Sequence, residues 1–146
     1  MKLMLIQDLA VSETEITIRY TGMDARLQRL IDHIRQFGFS ITGYQENKEY
    51  QLPLETIFYI DSVDGHTFLY QKEGVYECRE TLAVLENKLK KTVFVRISKN
   101  CILNTTYLDH VEPLFNHRLK AVLNNGETLV VTRSYMELLR DSLKGV

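Results

Sequence analysis

The sequence has no tryptophan, two prolines and two cysteines, and it lacks any long apolar run. Cys78 and Cys101 lie outside any Cys-x-x-Cys pattern, which predicts reduced thiols rather than a disulfide or a zinc site. No apolar run approaches the roughly 18 residues that a membrane span requires. Gln7 and Asp8 interrupt the short apolar stretch at the start, so we expect no signal peptide. These absences together predict a cytoplasmic protein.

Signals for catalysis are equally scarce. The sequence has neither a glycine-rich phosphate loop nor a Gly-x-Ser-x-Gly motif, and its four histidines show no metal-ligand spacing. Asp61 and Asp64 lie beside Gly65 and His66 and could seed an acid–base or metal site, but such residues more often form an ordinary polar loop. We therefore expect that the protein is not an enzyme and has no cofactor and no metal site.

The distribution of charge is more informative than its total. The chain has 18 Lys and Arg against 19 Asp and Glu, so a net charge of −1 gives no overall attraction for nucleic acid. Between Glu86 and Asp109, however, no acid occurs. The basic residues in that interval are Lys88, Lys90, Lys91, Arg96 and Lys99. Such a stretch fits either a solvated protein face or contact with a polyanion.

Residues 1–44 have the pattern of a small ββα module. Glu15–Tyr20 alternates polar and apolar residues, as a half-buried strand does, and Lys2–Ile6 is its candidate partner. Apolar residues at helical spacing predict a helix from about Asp24 to Phe37. We expect this helix either to pack on its own two strands or to contact a second copy or another protein.

Residues 45–146 read as a second domain of many short strands. Asp64-Gly65 is a strong hairpin turn, and Asn124-Asn125-Gly126 is a candidate type I′ turn. Short strands joined in this way predict a mainly β fold with added α: short antiparallel sheets, preceded by the ββα module.

Two short helices are expected within this second domain. Leucines at helical spacing predict one over about Thr81–Leu89 and another over Ser134–Leu143. Ser134 and Glu137 have the spacing of a capping box, which places the start of the last helix at Ser134.

Five motifs occur in order along the second domain. They are Leu52–Ile60, Arg79–Leu82, Phe94–Asn100 with Ile102–Asn104, the Asn125-Gly126 turn, and Val131–Tyr135. In this order and spacing, residues from about 44 to 143 resemble the LytTR family of bacterial DNA-binding domains. The resemblance implies short antiparallel sheets whose loops, rather than a helix, enter successive major grooves while the duplex bends.

The resemblance also implies which residues bind DNA. Carried over by motif position, they are His66, Arg96, Ser98, Lys99, Asn100, Arg133 and Ser134. They fall in three loops: one with His66, one following Arg96, and one before the last helix.

The chemistry of these side chains suits the role. Arg133 can fork onto guanine N7 and O6, and Lys99 can reach guanine or a phosphate. Ser134, with the first free amides of the helix, could bind phosphate. Two roles stay open: Arg96 either contacts DNA or orients its loop, and His66 either donates to the duplex or packs on the sheet.

The resemblance further implies a stand-alone regulator. About 45 residues before the matching region are too few for a phosphoacceptor receiver domain. The implied partners are double-stranded DNA, a second copy on repeated sites, and a small integral-membrane protein that restrains the regulator. The alternative function is a protein-interaction module that modulates another regulator without binding DNA itself. The retained basic residues favour the DNA-binding interpretation.

Overall fold

The computed structural model describes residues 1–144. Its helices are α1 Ala25–Gln36, α2 Leu82–Lys88 and α3 Met136–Ser142. Its strands are β1 Ser40–Gln45, β2 Lys48–Pro53, β3 Ile57–Val63, β4 His66–Gln71, β5 Val75–Cys78, β6 Phe94–Ser98, β7 Cys101–Asn104, β8 Leu108–Leu114, β9 Arg118–Leu123 and β10 Thr128–Val131. None of the helices within residues 1–144 is both long enough and apolar enough to cross a membrane.

The strands form two antiparallel sheets. Seven strands pair in the order β2-β1-β5-β4-β3-β7-β6, and three pair in the order β10-β9-β8. Most neighbouring strands are joined by short hairpin turns, which favours antiparallel pairing. The predicted mainly β fold, with antiparallel sheets and added helices, is confirmed.

The core lies on both faces of β6 and β7. Because side chains alternate along a strand, Phe94 and Ile102 face α2, whereas Val95, Ile97 and Leu103 face the three-stranded sheet and α3. Ile97 and Leu103 are fully buried. These two strands are therefore held rigidly between two layers, and the turn that joins them projects from a fixed base.

Local signals set the starts of α1 and α2. The Asp24 carboxylate accepts a hydrogen bond from the amide of Leu27 at 2.8 Å. The Thr81 hydroxyl accepts one from the amide of Val84 at 3.3 Å. Each side chain satisfies an amide that the first helical turn leaves free. The predicted helices at about Asp24–Phe37 and Thr81–Leu89 are confirmed.

The predicted start of the last helix is wrong. Helix α3 begins at Met136, and a short 3₁₀ turn over Arg133–Tyr135 precedes it. The amide of Tyr135 donates to the carbonyl of Thr132 at 3.0 Å, which encloses Ser134 within that turn. No side chain caps either element, so the expected capping box does not form.

The two marked turns differ. Asp64 and Gly65 both have positive φ, 50° and 79°, which fits the predicted tight hairpin. In the β9–β10 turn only Gly126 has positive φ, 87°. The carbonyl of Leu123 accepts from the amide of Gly126, and the amide of Leu123 donates to the carbonyl of Glu127, each at 2.9 Å, so the turn is longer than a two-residue one. The type I′ prediction is therefore wrong at this position.

The two strands predicted at the N-terminus are wrong for the single chain. Residues 1–24 contain no strand, and neither Lys2–Ile6 nor Glu15–Tyr20 is paired. Leu5 is 88% exposed and Ile16 is 66% exposed. An isolated two-stranded hairpin is marginal in water, and nothing in residues 1–144 of one chain covers this segment.

The predicted boundary between residues 44 and 45 falls inside β1. Tyr44 of β1 pairs with Glu77 of β5, so this strand belongs to the large sheet. The division of the chain into two domains at that position stays a prediction.

Candidate nucleic-acid interface

The β3–β4 and β6–β7 turns lie side by side at one end of the large sheet. Strands β3 and β7 are antiparallel, with Asp61 opposite Cys101. The amide of Ser62 donates to the carbonyl of Asn100 at 2.8 Å, which extends the pairing to the turn itself. The predicted loop of His66 and the predicted loop of Ser98–Asn100 are therefore neighbours, separated by about two strand spacings, roughly 10 Å.

The third predicted loop joins the other two through the backbone. The amide of Thr132 donates to the carbonyl of Ile97 at 3.0 Å. This bond fixes the residue before Arg133 against the residue before Ser98. The three loops come from two sheets, and the structure brings them to one end of the molecule.

Arg96 is engaged inside the protein. Its guanidinium donates to the carbonyl of Ser98 at 2.9 Å, to the carbonyl of Lys99, and to the carboxylate of Glu86 at 3.2 Å. The side chain is only 13% exposed. Of the two roles left open by the sequence, this geometry favours holding the turn over contacting a ligand.

The β6–β7 turn presents a compact set of polar groups. The strand pairing shifts between Arg96 and Ser98, and the amide of Asn100 donates to the Ser98 hydroxyl oxygen at 3.2 Å. Because that oxygen acts as acceptor, its own proton can be donated outward. Lys99 and Asn100 are exposed at the tip.

His66 lies at the start of β4, directly after the tight turn. Its Nδ1 is 3.2 Å from a carboxylate oxygen of Glu77 on β5. This contact orients the ring, so Nε2 is the nitrogen available to a ligand. The imidazole is largely exposed, which fits a surface role better than packing on the sheet.

Arg133 and Ser134 are both exposed. Within residues 1–144 the Arg133 guanidinium makes no hydrogen bond or ion pair. The backbone on either side is fixed, since Val131 and Leu139 are fully buried. Arg133 therefore presents five free donors from a rigid base, and Ser134, which does not cap α3, keeps its hydroxyl free as well.

Sequence reasoning missed a fourth loop at this end. In the β8–β9 turn, Phe115 is 90% exposed, and Asn116 and His117 have positive φ. Leu119 pairs with Val131, so Arg118 lies beside the end of β10, next to the loop of Arg133. If residues are paired outward from the Asn125-Gly126 turn, the β9–β10 hairpin brings Arg118 opposite the residue before Arg133, so the sequence alone could have predicted this placement.

The basic stretch in the sequence is not one surface. Lys88 forms an ion pair with Glu80, and Arg96 is held internally. Lys90 and Lys91 precede β6, whereas Lys99 follows it, so five residues of extended strand, about 15 Å, separate them. Only Lys99 of the five lies among the loops as a free charge.

Two cysteines and a carboxylate also lie at this end of the large sheet. Burial raises the pKa of the Cys101 thiol and also that of Cys78, so both stay protonated. Burial also raises the pKa of Asp61, against a backbone hydrogen bond to Ser62 that lowers it. Residues 1–144 contain no cluster of three or more potential metal ligands.

Comparisons with known proteins identify the family of this chain. The family model of the LytTr DNA-binding domain matches residues 47–144. The chain is 31% identical over 112 residues to the transcriptional regulatory protein LytR of Staphylococcus aureus, covering 77% of this chain and 46% of that protein. It is 30% identical over 98 residues to the sensory transduction protein LytT of Enterococcus faecalis, covering 67% of this chain and 40% of that protein.

A solved structure shows the same fold. It is the LytTr DNA-binding domain of a putative methyl-accepting/DNA response regulator from Bacillus cereus, with a TM-score of 0.68 and 22% identity. The match covers 73% of this chain and 97% of that domain. The chain spans less than half the length of the curated relatives named above. With two thirds of its residues matched by the family model, the chain belongs to the LytTR family of DNA-binding domains.

Proposed function

We propose that this protein is a transcription regulator that binds duplex DNA sequence-specifically, reading major grooves with loops and bending the duplex. The observation that carries the proposal is the convergence of the loops of His66, Ser98–Asn100 and Arg133 at one end, with exposed donors on each. Backbone hydrogen bonds fix their spacing, so little order has to be created on binding. The proposed site of action is the cytoplasm.

Some loop side chains are proposed to position the protein on the DNA backbone and others to recognise bases. Lys99 and the hydroxyls of Ser98 and Ser134 suit phosphate oxygens, which fix register without selecting sequence. Arg133 suits the N7 and O6 pair of guanine, and Asn100 suits the donor–acceptor edge of adenine. Arg96 is assigned to holding the β6–β7 turn, and His66 to a base or phosphate contact through Nε2.

We propose further that two copies bind repeated sites. Several loops per copy sharing one duplex would bend it, because their rigid spacing has to match consecutive stretches of groove. The resemblance to stand-alone regulators supports a small integral-membrane partner as the restraining element. Co-purification from membranes of the native host, with and without that partner, tests this part.

The test begins with selection of bound duplexes from a random pool, followed by titration of the selected site at increasing salt. We expect one enriched sequence and an affinity that falls steeply as salt rises. Each neutralised phosphate contributes roughly −0.9 to the slope of log association constant against log salt concentration. A flat salt response with no enriched sequence would favour the interaction module that acts without DNA.

A further inference from the structure

Helix α1 contacts the rest of the chain through its polar side. The Arg29 guanidinium donates to the carbonyl of Ser142 at 2.8 Å, linking α1 to α3. Gln36, two turns further on, is the buried residue of the helix. Ala25, Gln28 and Asp32 line the same small cleft against α3. Residues at this spacing share one face of a helix, so the face toward the protein is polar.

The apolar stripe of α1 points away from the protein. It consists of Leu27, Leu30, Ile31, Ile34 and Phe37. Leu30 and Phe37 are exposed and the other three are only half-buried. Ile34 comes nine residues after Ala25, which at 3.6 residues per turn is half a turn round the helix. Phe37 is 61% exposed. An amphipathic helix normally buries its apolar stripe, so this one lacks its partner in the single chain.

The segment that precedes α1 also exposes apolar side chains that nothing in the single chain covers. Residues 1–23 contain no strand, and within residues 1–144 their one backbone–backbone hydrogen bond is a local turn from the amide of Val11 to the carbonyl of Asp8. Their large exposed apolar side chains are Met1, Leu3, Met4, Leu5, Ile6, Leu9, Val11, Ile16, Tyr20 and Met23. Extended chain with free amides and carbonyls is a template for strand pairing with another chain.

We propose that residues 1–37 form a homodimer surface, in which the N-terminal segments of two copies pair with each other and cover the outward stripes of both α1 helices. A second copy fits because both unsatisfied surfaces come from the same 37 residues. A two-fold axis supplies each with an identical complement. This interchain pairing differs from the hairpin within one chain that the sequence predicted.

The charges of the alternating segment are complementary to a second copy of themselves. In an antiparallel pair centred on Thr17, Glu15 lies opposite Arg19 of the second copy, and Arg19 lies opposite its Glu15. The same register sets Ile16 against Ile18 on the other face. One segment thus supplies two opposite-charge pairs and two apolar pairs to its own copy.

The available area is sufficient for a stable dimer. Residues 1–37 expose twelve large apolar side chains. Burying roughly 70 Å² of each would remove about 800 Å² per copy from water, which is the contribution of one partner to a standard interface. A lipid surface is less suited, because residues 1–23 carry Lys2 and Arg19 against Asp8, Glu13 and Glu15.

This surface deepens the proposed function, since it supplies the two copies for repeated sites. Its test uses the full chain without DNA, so the two proposals can fail separately. Light scattering on a sizing column, from low to high micromolar protein, is expected to give the mass of a dimer. Hydrogen exchange is expected to show protected amides at Ile16 and Ile18, which a monomer would leave open.

Two substitutions address the two parts of the surface. Ile16→Asp and Leu30→Glu are each expected to weaken the dimer by at least about tenfold, because each puts a charge where an apolar side chain is buried. Both residues are exposed in the single chain, so its own melting is retained. Val84→Glu, at an exposed apolar position on α2, is the matched control and should leave the dimer unchanged.

Charge reversal addresses the register. Glu15→Arg and Arg19→Glu should each weaken the dimer, and the double variant should recover it. A double variant as weak as the single ones would overturn the pairing about Thr17. The whole proposal is overturned by a chain that is monomeric throughout, by a dimer that survives both Ile16→Asp and Leu30→Glu, or by a monomer that sediments with anionic phospholipid vesicles.

Discussion

The buried side chain of Asn104 donates a hydrogen bond to the carbonyl of Ile57, with an N···O distance of 2.9 Å. Its amide oxygen accepts from the amide of Thr106 at 3.0 Å. One side chain thus joins the end of β7 to the start of β3, at the opposite end of these strands from the proposed DNA-reading turns. The register of β3 and β7 sets the spacing of those turns.

Asn104→Ala is therefore expected to destabilise the fold. It leaves a buried carbonyl and an amide without partners, and each costs about 1–3 kcal/mol. Urea denaturation measures the loss in the free energy of unfolding. Asn87→Ala, at an exposed position on α2, is the control. A change of under about 0.5 kcal/mol for Asn104→Ala, typical of a surface site, would show that the bond does not hold the strands.

Arg133→Ala tests base reading. If the guanidinium forks onto a guanine, the variant should lose about 1–3 kcal/mol on the preferred site and discriminate less at one base pair. Competition titration against single-base-pair variants of the site measures both. Arg140→Ala, on the exposed face of α3, should change neither. An equal loss on every duplex would make Arg133 a phosphate contact instead.

Lys99 and Lys91 form a matched pair at opposite ends of β6. Lys99→Ala should lower the salt slope by about one unit, because one phosphate contact is lost. Lys91→Ala should leave the slope unchanged, although both lysines belong to the same basic stretch of sequence. Salt titrations of the two variants measure both slopes. Equal effects would mean that the whole basic stretch of sequence contacts DNA, contrary to the placement that the fold gives these lysines.

Arg96→Lys separates positioning from direct contact. Lysine keeps the charge but cannot donate to the carbonyls of Ser98 and Lys99 and to Glu86 together. We expect weaker binding and faster hydrogen exchange at the amide of Asn100, as for Arg96→Ala. Full rescue of binding by lysine would indicate a phosphate contact.

The pH dependence of stability should report His110. Hydrogen bonds to Asp109 at 2.7 Å and then to Glu112 at 3.1 Å raise the pKa of this imidazole. A raised pKa in the folded state stabilises the fold below the unfolded value of about 6.5, and that increment is lost as pH rises through the folded value. His110→Gln should therefore reduce the change in melting temperature between pH 6 and 8, which thermal melts at several pH values measure.

The sequence predicted the features that depend on interactions between residues close together in the chain. The start of α1 follows from the Asp24 cap and the apolar spacing of its helix, and the tight turn at Asp64 follows from the glycine after it. The strand order was not predictable in this way, because β1 pairs with β5 across more than thirty residues of chain. The role of Arg96 depends on Glu86, which comes within reach only when α2 packs on the sheet.

The N-terminal strands show the limit of periodicity. The alternation in Glu15–Tyr20 indicates which side chains of a strand would be buried. It does not indicate whether the partner strand belongs to the same chain or to another one. The candidate site was located by motif order, and its loops do converge. The β8–β9 turn carries no motif that marks it as part of the site. Its place beside Arg133 follows only from the pairing of β9 with β10, counted from the Asn125-Gly126 turn.

The β6–β7 turn is held by groups other than the side chains at its tip. Backbone bonds to Ser62 and the guanidinium of Arg96 fix its carbonyls, whereas the side chains of Lys99 and Asn100 bear no structural burden. Substitutions that keep the backbone amide of Asn100 are therefore expected to change the stability of the fold little at these two positions. Under the proposed roles, exchanging Asn100 would alter the sequence that the turn reads, whereas exchanging Lys99 would alter affinity alone. A lineage or an engineer could therefore tune these two properties separately on an unchanged scaffold.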